Sequence, residues 1–344
     1  MLYLVDGYYT RTLGTMNFAV AKIDATVDLL CEESEYESGH IPASKSLQDF
    51  DCREFTSEST FSSFAYLIGA VRCAALAISS APKIATIEDS IHIIQAADSS
   101  LDGWRLLLPE NRKHVISKTG EVDELMFQAH LVINVATIGL HRPFSDLKFN
   151  TVEDISSCAR EPPLDTPTPE LIHMHTLRVL RSVNAQIRLL ALPVRQFHHT
   201  PFTTCMVSEG TLALLSACKF LFNGEDLATA REQLRMKIGC LKALGDIWPR
   251  AARNVREIQI IAQHVLGIQS SAASKSSTPS SNAVPLLYRG QGQRSHGSDG
   301  DISCNDTGIP SSLHSTEDLC GWYNLRDLAE LGSLDDLPRG RISD

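Results

Sequence analysis

At 344 residues the chain is long enough for about two domains, or for one large domain with an appendage. Its 31 Lys and Arg against 41 Asp and Glu leave a formal charge of −10, which repels phosphate backbones and argues against nucleic-acid binding by this chain alone. Residues 64–79, the most apolar run, are broken by Arg72 and too short to span a bilayer; with no basic leader and nine scattered cysteines in no C-x-x-C pair, the chain reads as a soluble intracellular protein with reduced thiols.

From the N-terminus, a first short helix leads into a linker, residues 24–58, where ten acids face only Lys45 and Arg53. It reads as a solvated acidic loop over a helical body, with a docking surface for a basic partner as the other reading. Helices follow over residues 57–80 and 86–97. Across 121–142, Val122, Leu125, Met126, Ala129, Val132, Ile133, Ala136 and Leu140 recur at three- and four-residue steps. That spacing predicts one apolar face of a helix that ends before Pro143. Another helix is expected over 171–190. Residues 204–222 are apolar nearly all round, with only Glu209 and Lys219 charged, as for a helix buried inside a bundle.

Asn223, Gly224, Glu225 and Asp226 break and cap the chain before a helix whose apolar positions are Leu227, Ala230, Leu234, Ile238 and Leu241. Pro249 opens the last helix, which runs to about Leu266. These two helices carry Arg231, Arg235, Lys237, Lys242, Arg250, Arg253 and Arg256 against Glu232, Asp246 and Glu257, a basic face expected to be solvated; a nucleic-acid surface is the other reading, though only Trp248 interleaves an aromatic with these charges. No alternating strand pattern and no fixed repeat interrupts the series. Residues 1–268 therefore read as an all-α, irregular bundle of about eight helices.

Beyond Gln269 the composition changes. Gly, Pro and Ser make up 27 of the last 76 residues, too polar a mixture to offset backbone entropy by burial. Residues 269–311 are expected to be a disordered linker and 312–344 an acidic-hydrophobic tail. In that tail six acids and one base, Arg326, are mixed with leucines and aromatics between 317 and 337. Trp322, Tyr323, Leu325, Leu328 and Leu331 form a candidate activation segment, a short helix for a coactivator groove. A terminal helix that docks back on the body is the other reading.

Catalytic and metal chemistry finds little support. There is no G-x-S-x-G elbow and no G-x-x-x-x-G-K-[ST] phosphate loop. His173 and His175, two apart on a helix, point about 200° away from each other and cannot share an ion. His198, His199 and Cys205 lie close in sequence but have no fourth ligand at a recognisable spacing. No catalytic residue, metal ligand or cofactor is assigned, and the chain is not expected to be an enzyme.

Several stretches carry a family resemblance. Residues 2–9 (Leu-Tyr-Leu-Val-Asp-Gly-Tyr-Tyr), 27–39 with Cys31, Glu32 and Glu33, and 61–68 look like the fungal-specific transcription factor domain, the middle homology region of fungal binuclear zinc cluster regulators. Leu140-His141-Arg142-Pro143-Phe144 resembles a short element at the end of a long helix in that domain. The resemblance covers about residues 1–268. It implies an α-helical regulatory module, joined in the family to a six-cysteine zinc cluster that binds DNA and often to an activation segment. The six-cysteine module is absent here, as is the Arg-Arg-Thr-Trp-Trp-like stretch before the first helix, and Leu30 replaces the usual proline. The chain is thus expected to start inside the domain and to lack DNA binding of its own. What the resemblance implies is a nuclear transcription regulator, or a remnant of one, controlling a secondary-metabolite gene cluster through protein contacts. Expected partners are coactivators or the transcription machinery, a second copy in a homodimer, and a small-molecule inducer. A helical small-molecule sensor without DNA binding is the alternative.

Overall fold

The structure, a computed structural model, describes residues 27–55, 60–79, 87–116, 120–158, 171–192 and 199–268. Among them are ten α-helices and no strand: α1 (Glu33–Ser38), α2 (Leu47–Asp51), α3 (Ser63–Ser79), α4 (Ile87–Leu106), α5 (Glu110–Lys113), α6 (Glu124–His141), α7 (Ile172–Leu190), α8 (Phe202–Phe220), α9 (Gly224–Gly245) and α10 (Pro249–Leu266). The body is all-α, as the periodicity predicts. The first expected helix, the 269–311 linker and the 312–344 tail lie outside the described residues.

Two helices form the centre. In α6 every residue from Met126 to His141 is buried except His130, so the helix is enclosed on all sides rather than on one face. It packs most closely on α3 and α7, and also on α8 and α4. Small residues suit this close packing: α6 buries Ala129, Ala136 and Gly139, and α3 buries Ala65, Ala70, Ala74 and Ala77. The second centre is α8, buried from Thr203 to Cys218 and surrounded by α6, α7, α9 and α10. Its apolar perimeter was the signal, because a helix with no polar face has nothing to present to water.

Local chemistry sets the ends. Asn223 and Gly224, whose φ is +53°, start α9, and Pro249 occupies the first turn of α10, where its missing N–H costs nothing. Gly267, in the left-handed region at φ +64°, ends α10 by donating to the carbonyls of Gln263 and His264. Helix α4 extends nine residues past the expected end at Ala97. Asp98, Ser99, Ser100 and Asp102 interrupt the apolar pattern, but Leu101 and Trp104 are fully buried, and the Trp104 indole N–H donates to the Tyr66 carbonyl at 3.0 Å.

The acidic segment is not simply a solvated loop. Glu32 accepts from the Ser63 amide at 2.9 Å and pairs with Arg112, whose other nitrogen reaches Asp123 at 3.1 Å. Phe50 of α2 sits edge-on to Phe61 and Tyr66 at 5.1 and 5.4 Å. It fills the gap above Gly69, where a Cβ would come within 2.6 Å of its ring. The segment's exposed acids are Glu33 and Glu37 on α1, which buries nothing, and Asp28, Asp49, Asp51 and Glu54 outside it.

Candidate functional site

The element that carries the family resemblance, Leu140–Phe144, ends α6. Leu140 belongs to the core. His141 is 1% exposed, with Nε2 2.9 Å from Asp98 Oδ1 and Nδ1 2.7 Å from His175 Nδ1. Arg142 is fully enclosed: it donates to Glu153 at 2.8 Å and stacks its guanidinium over Phe149 at 4.2 Å. Pro143 cannot continue the α-helical hydrogen bonding, so the chain turns through a short 3-10 helix, Arg142–Phe144. Phe144 then packs on His175 with centroids 5.5 Å apart.

His141 is one corner of a polar junction that joins three helices. Asp98 and Asp102 lie one turn apart on α4 and both accept from Arg178 of α7, Asp102 at 2.7 Å. Arg178 Nε also stands 3.0 Å from His141 Nε2. Arg105 of α4 donates to Asn134 and Thr137 of α6, each at 3.1 Å. Burial raises the Asp98 carboxyl, but the hydrogen bond and charge of His141, with those of Arg178, outweigh it and hold Asp98 below the usual carboxylate range. Burial, then the positive charges of His141 and Arg178, push His175 down to about 4. His175 is therefore neutral at physiological pH, with its Nδ1 set 2.7 Å from that of His141.

A second buried polar group lies between α7, α8 and α9. Lys237 is 0% exposed and donates to Gln186 Oε1 at 2.9 Å; Gln186 donates in turn to the Met206 carbonyl at 3.3 Å. Gly210 makes the space, since a Cβ there would lie 1.9 Å from Gln186 Oε1. With no carboxylate beside it, burial alone drives the Lys237 ammonium down to about 7. This overturns the reading of Lys237 as part of a solvated basic face. Arg231, Lys242, Arg250, Arg253 and Arg256 are exposed as expected, and Arg235 is half-buried. A signal was present: Ala230, Leu234, Lys237, Leu241 and Leu244 form one helical stripe, and its other four members are all core residues.

The candidate metal ligands face different partners. His173 is exposed while His175 turns inward to His141. His199 stacks flat on Phe127 at 4.1 Å and meets Glu124 at 2.6 Å through Nδ1, whereas Cys205 faces Cys158. His198 and the candidate activation segment, Trp322, Tyr323, Leu325, Leu328 and Leu331, lie outside the described residues. Among the described residues no cluster of three His, Cys, Asp or Glu is placed to hold a metal, and no helix is long and apolar enough to cross a membrane.

No family model and no solved structure matches the chain. It is similar to the C6 finger domain transcription factor iacK of Pestalotiopsis fici, 30% identical over 271 residues. The aligned region takes in 77% of this chain and 39% of the relative, so the chain spans about two fifths of that protein's length. The relative is a fungal C6 finger regulator, the class to which the short motifs point.

Proposed function

We propose that this chain is a fungal transcription regulator, or the regulatory part of one, that works in the nucleus through protein contacts and not as an enzyme. The observation that carries the reading is the 271-residue similarity to a C6 finger transcription factor. The architecture suits it: the buried charges are engaged between helices, so the body is a scaffold with its acidic and basic residues displayed outside. The described region corresponds to the middle homology region. Control of a secondary-metabolite gene cluster is the biological setting we propose.

Residues 312–338 serve as the activation segment, with Trp322 and Tyr323 as anchors for a coactivator groove. The bundle's further contacts are with a second copy or with a small-molecule inducer, and it binds no DNA sequence itself. Deleting the gene in its host and sequencing transcripts tests the whole reading. A coordinated change in a set of neighbouring biosynthetic genes is expected; an unchanged transcriptome would overturn it. Tethering residues 312–338 to an unrelated DNA-binding domain tests the segment separately: reporter output should rise, and Trp322→Ala with Tyr323→Ala should abolish most of it.

A further inference from the structure

We propose that Cys158 and Cys205 are a redox pair that closes to a disulfide under a two-electron oxidant of the peroxide class and reopens with a thiol reductant. The two residues are 47 positions apart in sequence, yet their sulfurs lie 2.8 Å from one another. That is under 1 Å longer than a disulfide bond of about 2.05 Å, so closure needs only a small side-chain movement. Cys158 follows the 3-10 turn Thr151–Ile155 and is half-buried; Cys205 is in the first turns of α8 and is buried.

The surroundings are those of a reactive pair rather than of two inert core thiols. Arg250, exposed at the start of α10, places a positive charge beside both sulfurs. The α8 N-terminus adds its partial positive charge near Cys205. The hydrogen bond to Cys205, then burial, hold the Cys158 thiol protonated well above its ordinary range. Whichever sulfur is oxidised first, the other stands beside it as the resolving thiol, an arrangement that favours reversible oxidation. Asn254 also donates to Cys158 at 3.6 Å, and the neighbouring Ser157 donates to Glu257 of α10 through its amide and hydroxyl at 2.9 and 3.0 Å. The segment bearing Cys158 is thus held against α10, which itself packs on α8, before any covalent bond forms.

The chemistry balances with hydrogen peroxide. The thiolate of one cysteine attacks one peroxide oxygen, the O–O bond breaks, and a sulfenic acid forms while the released hydroxide takes up the proton that thiol had lost, as water. The sulfur of the other cysteine then attacks the sulfenic sulfur. The S–S bond forms, the S–O bond breaks, and the departing hydroxide leaves as water with the second thiol's proton. Two thiols have lost two electrons and one peroxide has become two waters.

The test uses the full chain, reduced and then exposed to hydrogen peroxide, alkylated, and digested with trypsin without reductant. Cleavage after Lys148, Arg160, Arg195 and Lys219 puts Cys158 on one peptide and Cys205, together with Cys218, on another. Mass spectrometry should find these two peptides joined with the loss of two hydrogens, and fragmentation should place the link at Cys205. The link should persist in Cys218→Ser, disappear in Cys158→Ser and Cys205→Ser, and reverse with dithiothreitol. Oxidation should raise Tm by roughly 5–10 °C, because the disulfide closes a long loop. Arg250→Gln should slow closure about threefold, as a thiolate population reduced about tenfold is partly offset by its higher nucleophilicity. Full alkylation of both thiols after peroxide, or a link from Cys158 to any other cysteine, would overturn the proposal. The wild-type map decides this even if a serine variant fails to fold.

Discussion

Arg178 and Gln186 stand on the same helix, α7, about 12 Å apart, and the polar clusters around them handle burial in opposite ways. Around Arg178 the charges are kept and matched: two aspartates, a histidine and the arginine meet across α4, α6 and α7. Just beyond it, Arg142 and Glu153 repeat the solution with both side chains only 4% exposed. Around Gln186 there is one cation, Lys237, and an amide for its partner. An amide dipole cannot replace the lost hydration of an ammonium, so burial favours the neutral amine instead. A matched cluster ties helices together and becomes costly when one member is removed, whereas an unmatched lysine costs stability by being present.

The contrast is sharpest where one partner of the best-enclosed pair is deleted. Arg142→Met should destabilise the fold by about 3–5 kcal/mol, because Glu153 is left as a buried, uncompensated carboxylate. Arg142→Met combined with Glu153→Leu should recover most of that loss. Urea denaturation of both variants measures this; a single variant no worse than the double would break the comparison.

Lys237→Met should act in the other direction. The native amine titrates near 7 and the unfolded one near 10.5, so between these values the unfolded chain holds more protons. Stability therefore falls as pH drops from 10.5 to 7 and levels off below, by on the order of 4 kcal/mol in total. Methionine removes that slope but strands the Gln186 carbonyl oxygen, at a cost of about 1–3 kcal/mol. A net gain of about 1–3 kcal/mol is expected at pH 7. Melting curves across pH 6–10 check it, and an unchanged slope in the variant would contradict the assignment.

His175→Asn probes the matched cluster more gently. His175 faces His141, Asp98, Arg178 and Phe144, and its folded value near 4 lies below the ordinary 6.5. As pH falls from 6.5 towards 4 the unfolded state takes up a proton that the native state refuses, so stability is lost across that window. Allowing for the ring's partial exposure, the loss should be about 1–2 kcal/mol, and the variant should flatten it. Smallest of all is Arg235→Ala, which removes an exposed ion pair with Glu232 and should change stability by less than about 0.5 kcal/mol.

The candidate site was legible only in pieces. The Leu140–Phe144 element stood out as a motif and as a proline stop, but nothing in its spacing announced Asp98, His175, Arg178 or Glu153 as its partners. The expected end at Ala97 falls short of α4 because Asp98 and Asp102 look like surface residues until Arg178 arrives from a helix some 80 positions later. Lys237 is the converse case. Its position in the stripe with Leu234 and Leu241 predicts burial, while its charge predicts exposure, and in the folded chain position prevails. Cys158 and Cys205 had no signal at all, since a contact across 47 residues leaves no periodic trace.

Short-range rules placed the helices. The 3.6-residue period, Pro143 and Pro249, Asn223 and Gly267 act within a turn or two, so they operate on the chain before it folds. Close packing then decided which polar groups would lose their water, and on which neighbours. Bringing α4, α6 and α7 together turned three unremarkable polar side chains, Asp98, His141 and Arg178, into one network. Packing α9 against α7 and α8 lowered a lysine ammonium to about 7. Desolvation and Coulomb attraction depend on distance in space, and for these residues that distance exists only once the bundle has closed.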